Sequence, residues 1–250
     1  MTTRRRSSPT ASRRPLIRVA IFDLDDTLYD CLQQRVRAAH RFAAEAMARA
    51  GVPASPQRIF RLRMKGYRID PQLSHVDRFV CEQLGVKDIQ GISRLAREAF
   101  FSCPVGKLRL FRGSRRVLRE LHRCGVRAFV VSYGDPEIQR AKAAALGLDR
   151  EPAIERIFYA DRDQIVTKDT AFQEIVSITG AAPENVLVVG DRCSGEIRAG
   201  NLLGMHTVRI LGGEFARLSP KSREERPGFQ ISKISEVLDL PFRFGAIPTK

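Results

Sequence analysis

The sequence contains no apolar run approaching the roughly 20 residues that a helix needs to cross a bilayer, so no membrane-spanning helix is expected. Its five cysteines (Cys31, Cys81, Cys103, Cys124, Cys193) are odd in number, scattered and without a CxxC pair. Neither a disulfide framework nor a zinc site is built that way, and free thiols in a reducing compartment are expected. The four histidines (His40, His75, His122, His206) are isolated and show no ligand spacing. No internal repeat is present, and no zinc-finger, RNP or helix-turn-helix signature. Acid is the scarce sign of charge: 28 Asp and Glu stand against 43 Lys and Arg, a net charge of +15. Such a surface attracts anions in general, whether nucleic acid, anionic lipid or a phosphorylated substrate. Arginine is spread along the whole chain rather than blocked in one segment, which reads as a solvated basic surface. The alternative reading is a basic nucleic-acid-binding protein with little or no catalysis. Counterion release would make its affinity fall steeply with salt.

What is present belongs to an ordinary soluble globular protein: 250 residues, 43% hydrophobic and 28% charged, enough for a core domain with a smaller companion. Residues 1–15, "MTTRRRSSPTASRRP", hold no acid and too little apolar surface to bury a core, which predicts a disordered basic arm. "SRRPLI" echoes a twin-arginine export signal. The apolar run behind it is broken at once by Arg18 and then Asp23, so a cytoplasmic protein is expected.

"IRVAIF" (17–22), "VRAFVVS" (126–132), "NVLVVG" (185–190) and "HTVRIL" (206–211) are short, nearly unbroken apolar runs of the kind that form parallel strands buried on both faces. "RIFYAD" (156–161) is a weaker fifth. Helical segments separate them: "RRVLRELHRC" behind Ser114 as its cap, "EIQRAKAAAL" behind Asp135–Pro136 and closed by Gly147, and "TAFQEIVSIT" closed by Gly180. The alternation predicts an α/β fold, a Rossmann-like parallel sheet core with helices on both faces. Residues 31–108 break the rhythm with helical spacing and no convincing strand, which predicts a small α-helical cap domain. The core is expected over 16–30 and 109–240, with a C-terminal tail over 241–250. Ligands in open α/β sheets bind beyond the carboxyl ends of the strands, under such a cap.

"IFDLDDTLYD" places Asp23, Asp25, Asp26 and Asp30 within eight positions behind the first strand. Other strand ends deliver Ser132 and Asp191, and Lys168 lies in the loop region before "TAFQEIVSIT". Carboxylates clustered at one sheet edge are tolerable when a hard cation shares them, and oxygen-only ligands suit Mg²⁺.

The set resembles the haloacid dehalogenase-like hydrolase superfamily through four segments in order: "DLDDT" (Asp23 to Thr27), Ser132 in "VVSYGDP", Lys168, and "VVGDRCSGE" with Asp191 and Glu196. The resemblance covers residues 17–240. It implies that Asp23 attacks phosphorus and that Asp25 is the general acid and then base. The carboxylates of Asp23 and Asp191, with the backbone carbonyl of Asp25, would hold Mg²⁺. Lys168, Ser132 and the amides of Tyr133 and Gly134 would meet the phosphoryl oxygens. Thr27 would shape the loop and Glu196 would support the metal shell. Two departures stand out: Glu196 replaces the more frequent Asp, and Lys168 is followed by Asp169 rather than proline. An acid at Asp25 points to phosphate esters, because the dehalogenase branch lacks one there. The likeness is greatest to small-molecule phosphatases with the cap inserted after the first segment. A phosphorylated small molecule is therefore the expected partner, with Mg²⁺ as cofactor. In the cap, Arg58, Arg61, Arg63 and Arg68 are placed either to meet a second anionic group or to be solvated. Candidate substrates include sugar phosphates, nucleoside monophosphates and phosphoglycolate. No residue pattern speaks to oligomeric state.

Overall fold

The computed structural model describes residues 14–161 and 167–247. Residues 1–13 of the expected arm and 248–250 of the expected tail lie outside the described residues. The chain enters through β1 (Leu16–Ile17) and β2 (Val19–Phe22), and a π-helical turn (Leu32–Val36) then leads into α1 (Arg37–Arg49), α2 (Pro56–Ile69), α3 (Leu73–Gln83) and α4 (Ile89–Ser102). It returns through α5 (Ser114–Arg123), β3 (Arg127–Tyr133), α6 (Pro136–Leu146), β4 (Arg156–Ala160) and α7 (Lys168–Thr179). Next come β5 (Val186–Gly190), α8 (Arg198–Leu202), β6 (His206–Ile210), β7 (Phe229–Ile231) and β8 (Arg243–Phe244).

Six strands form one parallel sheet in the order β4-β3-β2-β5-β6-β7. Strand β2 runs between β3 and β5, and its four residues are wholly buried. The two-residue period of a strand divides its side chains between two cores. Ala20 and Phe22 join Ala128, Val130, Leu187 and Val189 beneath α5 and α6, which supply Val117, Leu121 and Leu146. Val19 and Ile21 join Phe129, Val131, Val186 and Val188 beneath α7 and α8, which supply Phe172, Ile175 and Ala199. Covering both faces is what requires apolar residues at every position of the central strands. Each large side chain so buried contributes about 1.5–3 kcal/mol.

Helices α1 to α4 pack around a separate core that includes Ala43, Met47, Ile59, Val80 and Ala96. Arg63 lies inside this unit, fully buried, with Nη1 2.5 Å from Asp77 Oδ1 and Nε donating to His40 Nδ1 at 3.2 Å. Burial, with Arg63 beside it, pushes the imidazole of His40 down to about 3. Arg63 is thus a structural cation, neither solvated nor turned to a ligand, while Arg58, Arg61 and Arg68 are exposed.

Four further details differ from expectation. Gly113, at φ +103°, occupies the cap position of α5, and the Ser114 hydroxyl instead donates to the Leu28 carbonyl at 2.9 Å. Lys168 is the first residue of α7, whose N-terminus is capped by Thr167. Strands β7 and β8 were not anticipated. Pro15, assigned to the arm, accepts from the Arg243 amide at 2.9 Å, and β8 pairs in parallel with β1. Among the described residues no helix is long and apolar enough to cross a membrane.

Candidate active site

Beyond the carboxyl end of β2 the backbone turns sharply at Asp26, which adopts φ +55°. Asp is among the few non-glycine residues that visit this region readily. The Asp26 side chain secures the turn by accepting from the amides of Leu32 (3.1 Å) and Glu214 (3.2 Å). Gly213, at φ +61°, makes room for it: a Cβ there would fall 2.1 Å from Asp26 Cγ. The turn leaves Asp23 and Asp25 facing a cavity of about 250 Å³. Asp26, Arg35, Tyr133, Gly134, Gln139, Lys142, Lys168, Asp191, Glu196 and Glu214 also line it.

Asp23 is buried, and the backbone around it is pinned because its amide donates to Val189 on the neighbouring strand at 2.9 Å. Its Oδ1 lies 2.5 Å from Lys168 Nζ, which also pairs with Glu196. Burial raises the Asp23 carboxyl above its ordinary range against the pull of Lys168, and Asp25 adds to the rise. Glu196 accepts in turn from the Arg192 amide at 3.2 Å. It therefore orients Lys168 and the loop after β5.

Asp191 directly follows β5 and lies beside Asp23, and no salt bridge reaches it among the described residues. Burial, with Asp23 and then Asp26 beside it, raises its carboxyl to about 8. The folded state then binds this proton more tightly than the unfolded chain does. Stability from this group is complete below the ordinary value of 3.8 and is lost as pH rises toward about 8. Asp191→Asn, neutral throughout, is accordingly expected to melt at least about 3 °C above the parent in metal-free buffer at pH 8. The advantage should vanish near pH 4; equal melting temperatures at both pH values would contradict the buried-charge account.

Asp25 has a different surrounding. Its Oδ2 is 2.7 Å and its Oδ1 3.0 Å from Lys142 Nζ, Tyr29 donates to Oδ1 at 2.7 Å, and Gln139 donates to Oδ2 at 3.2 Å. Burial works to raise this carboxyl, yet Lys142 and its hydrogen bonds hold it below the usual range. Gln139 also donates to the Tyr133 carbonyl at 2.9 Å. It passes so close that a Cβ on Gly134, at φ +141°, would sit 2.7 Å from its Nε2. Tyr29, Gln139 and Lys142 were not singled out from the sequence. The signal available was slight: Gln139 and Lys142 share one face of the otherwise alanine-rich α6.

The structure thus brings Asp23, Asp25, Tyr133, Gly134, Lys168, Asp191 and Glu196 around one cavity. Ser132 and Thr27 are buried just behind it, with no hydrogen-bond partner for either hydroxyl among the described residues. A buried unsatisfied hydroxyl costs about 1–3 kcal/mol until a partner arrives. The Gly134 amide does not serve as an expected phosphate donor in this geometry, because β3 runs far enough beside β4 for that amide to donate to Ala160 at 2.9 Å.

No cage of three or more His, Cys, Asp or Glu side chains occurs among the described residues. Two neighbouring carboxylates, one of them without a cation, nevertheless form a donor set that suits a hard cation completing its shell with water and backbone oxygen. The chemistry of Asp23 and Asp191 fits Mg²⁺ in that sense.

Comparison with known proteins bears on the family and the fold. The family model described as haloacid dehalogenase-like hydrolase matches residues 17–204. A glyceraldehyde 3-phosphate phosphatase of Methanopyrus kandleri is 26% identical over 90% of this chain and 97% of its own. Among solved structures, a predicted phosphoglycolate phosphatase from Haemophilus somnus superposes with TM-score 0.64 at 18% identity, over 90% of this chain and 97% of that one. The HAD-hydrolase YfnB of Bacillus subtilis, solved bound to magnesium, gives 0.62 at 19% identity, over 90% and 98%. At these identities the structural likeness establishes the fold.

Proposed function

Because this chain belongs to the haloacid dehalogenase-like hydrolases, we propose that it is a Mg²⁺-dependent phosphatase that hydrolyses a small phosphate monoester through an aspartyl-phosphate on Asp23. The observation that carries the reading is the pairing at the end of the central strand. Two carboxylates two residues apart face one cavity, the first contacted by Lys168 and flanked by Asp191, the second held by Lys142.

Asp23 attacks phosphorus as the bond to the leaving oxygen breaks. Asp25 delivers the proton that the leaving oxygen requires, then takes one from the water that attacks the intermediate. Lys168 and the unpartnered Ser132 hydroxyl would meet the phosphoryl oxygens. The carboxylates of Asp23 and Asp191 and the backbone carbonyl of Asp25 would hold Mg²⁺, which offsets the repulsion between nucleophile and phosphate. A cavity of about 250 Å³ suits a short carbon chain. It lies below the volumes of roughly 300–1,000 Å³ typical of drug-sized ligands. The relatives named glyceraldehyde 3-phosphate phosphatase make triose phosphates the first esters to test. A cytoplasmic setting fits the five cysteines, all of them unpaired.

Chelation tests the reading. Excess chelator should abolish turnover and Mg²⁺ should restore it. Ca²⁺ should substitute poorly, since it takes a looser, higher coordination. Full activity in excess chelator would remove the metal role from Asp191. Absence of hydrolysis of any phosphate ester in Mg²⁺ would remove the phosphatase reading itself.

A further inference from the structure

Arg35 belongs to none of the segments that carry the family resemblance. It sits on the π-helical turn Leu32–Val36, between the loop of aspartates and α1, and its side chain is only 5% exposed. Single π-helical turns within α-helices are frequent at functional sites. This one is held by the Leu32 amide donating to Asp26. Arg35 lines the same cavity as Asp23 and Asp25, and its Nη1 has no hydrogen-bond partner among the described residues. Lys142 is paired with Asp25 and Lys168 with Asp23 and Glu196, while Arg192 lies over the ring of Phe215 and donates to Ser194. Glu214, which also lines the cavity, accepts from Tyr67 at 2.5 Å.

A buried guanidinium without a counterion is costly, and the cost is recovered only when an anion reaches it. In the reading above the phosphoryl oxygens are already assigned to Lys168 and to Ser132 near the end of β3. We propose that Arg35 binds the other end of the substrate, and that this end is a carboxylate: the preferred substrates are short phosphate monoesters bearing a carboxylate on the carbon chain. This inference rests on the phosphatase reading above. An aldehyde or hydroxyl oxygen could accept one hydrogen bond from Arg35 but would give it no direct ion pair, which it lacks among the described residues. A carboxylate supplies both the charge and two acceptors matched to the guanidinium fork. A cavity volume of about 250 Å³ favours a short chain between the two anionic ends.

The test compares 3-phosphoglycerate with glycerol 3-phosphate, which differ by a carboxylate in place of a terminal hydroxymethyl group, with p-nitrophenyl phosphate as a third substrate. The parent enzyme in Mg²⁺ should favour 3-phosphoglycerate by about 10- to 100-fold in kcat/KM, the range expected of a charge-assisted hydrogen bond. Most of the difference should lie in KM. Arg35→Gln should bring the ratio close to one, and Arg35→Lys should keep part of it. A parental ratio at or below one overturns the inference whether or not the variants fold, as does a preference that survives in soluble Arg35→Gln. If none of the three esters is hydrolysed while glyceraldehyde 3-phosphate is, this inference falls and the phosphatase reading stands; if that ester too is untouched, both fall. Hydrolysis of all three at similar efficiency removes only the role of Arg35.

Discussion

Asp23→Asn should reduce turnover of every phosphate ester to background, at least about 10⁴-fold, in a protein that remains folded. The amide keeps the shape of the side chain but cannot attack phosphorus, so the covalent route closes altogether. Lys168 keeps Glu196 as its partner, and the Asp23 amide keeps its hydrogen bond to Val189. The carboxylate that is lost is one that burial disfavours in its charged form. The melting temperature should therefore hold or rise. Circular dichroism and a melting curve beside the assay separate loss of chemistry from loss of structure. A folded variant retaining more than about a hundredth of parental turnover would show that Asp23 is not the nucleophile.

The second large effect is expected at Asp25. Asp25→Asn leaves the nucleophile in place and removes the proton donor and later base, a loss of about 10²- to 10⁴-fold. The defect should follow the leaving group. An activated aryl phosphate needs little protonation, so phosphorylation of Asp23 can proceed while hydrolysis of the intermediate stalls. Single-turnover measurement should then show a burst of phenol without matching phosphate release. The contacts of Asp25 sharpen the expectation. Lys142, Tyr29 and Gln139 occupy both of its oxygens and favour its ionised form. That is the form needed to activate water, whereas protonating an alkyl leaving group requires the contact with Lys142 to loosen. Asp25→Asn hydrolysing alkyl phosphates at the parental rate would end the assignment.

The parts of this molecule that could be read from the sequence are those where a local pattern has a local cause. Unbroken apolar runs mark strands covered on both faces, and Asp135–Pro136 and Gly147 bound α6 because caps act within a single turn. Aspartates behind a buried strand stand out because their mutual repulsion calls for an explanation. Lys142 and Arg35 gave no such sign. Each takes its meaning from a residue brought near by folding or from the lack of one, and a lysine in an alanine-rich helix reads locally as a solvated side chain. The arginines of α2 show the converse. Arg63 looked like one of a cationic set, yet its place in the core of the helical unit against Asp77 and His40 makes it part of the packing. Strands β7 and β8, three and two residues long, are too short for alternation to register.

The parallel ladder of β1 with β8, Leu16 opposite Arg243 and Ile17 opposite Phe244, imposes an order on biosynthesis. On the ribosome the first strands emerge with no neighbour to pair with, and β2 waits for β3 on one side and β5 on the other. The helices of residues 37–102 have their partners close in sequence. They can gather around Met47 and Ile59 while the aspartate loop before them is still unsupported. Asp23 is thus translated early and positioned late. The cavity is complete only after Asp191 has left the exit tunnel, and β1 finds its partner later still, when Arg243 follows.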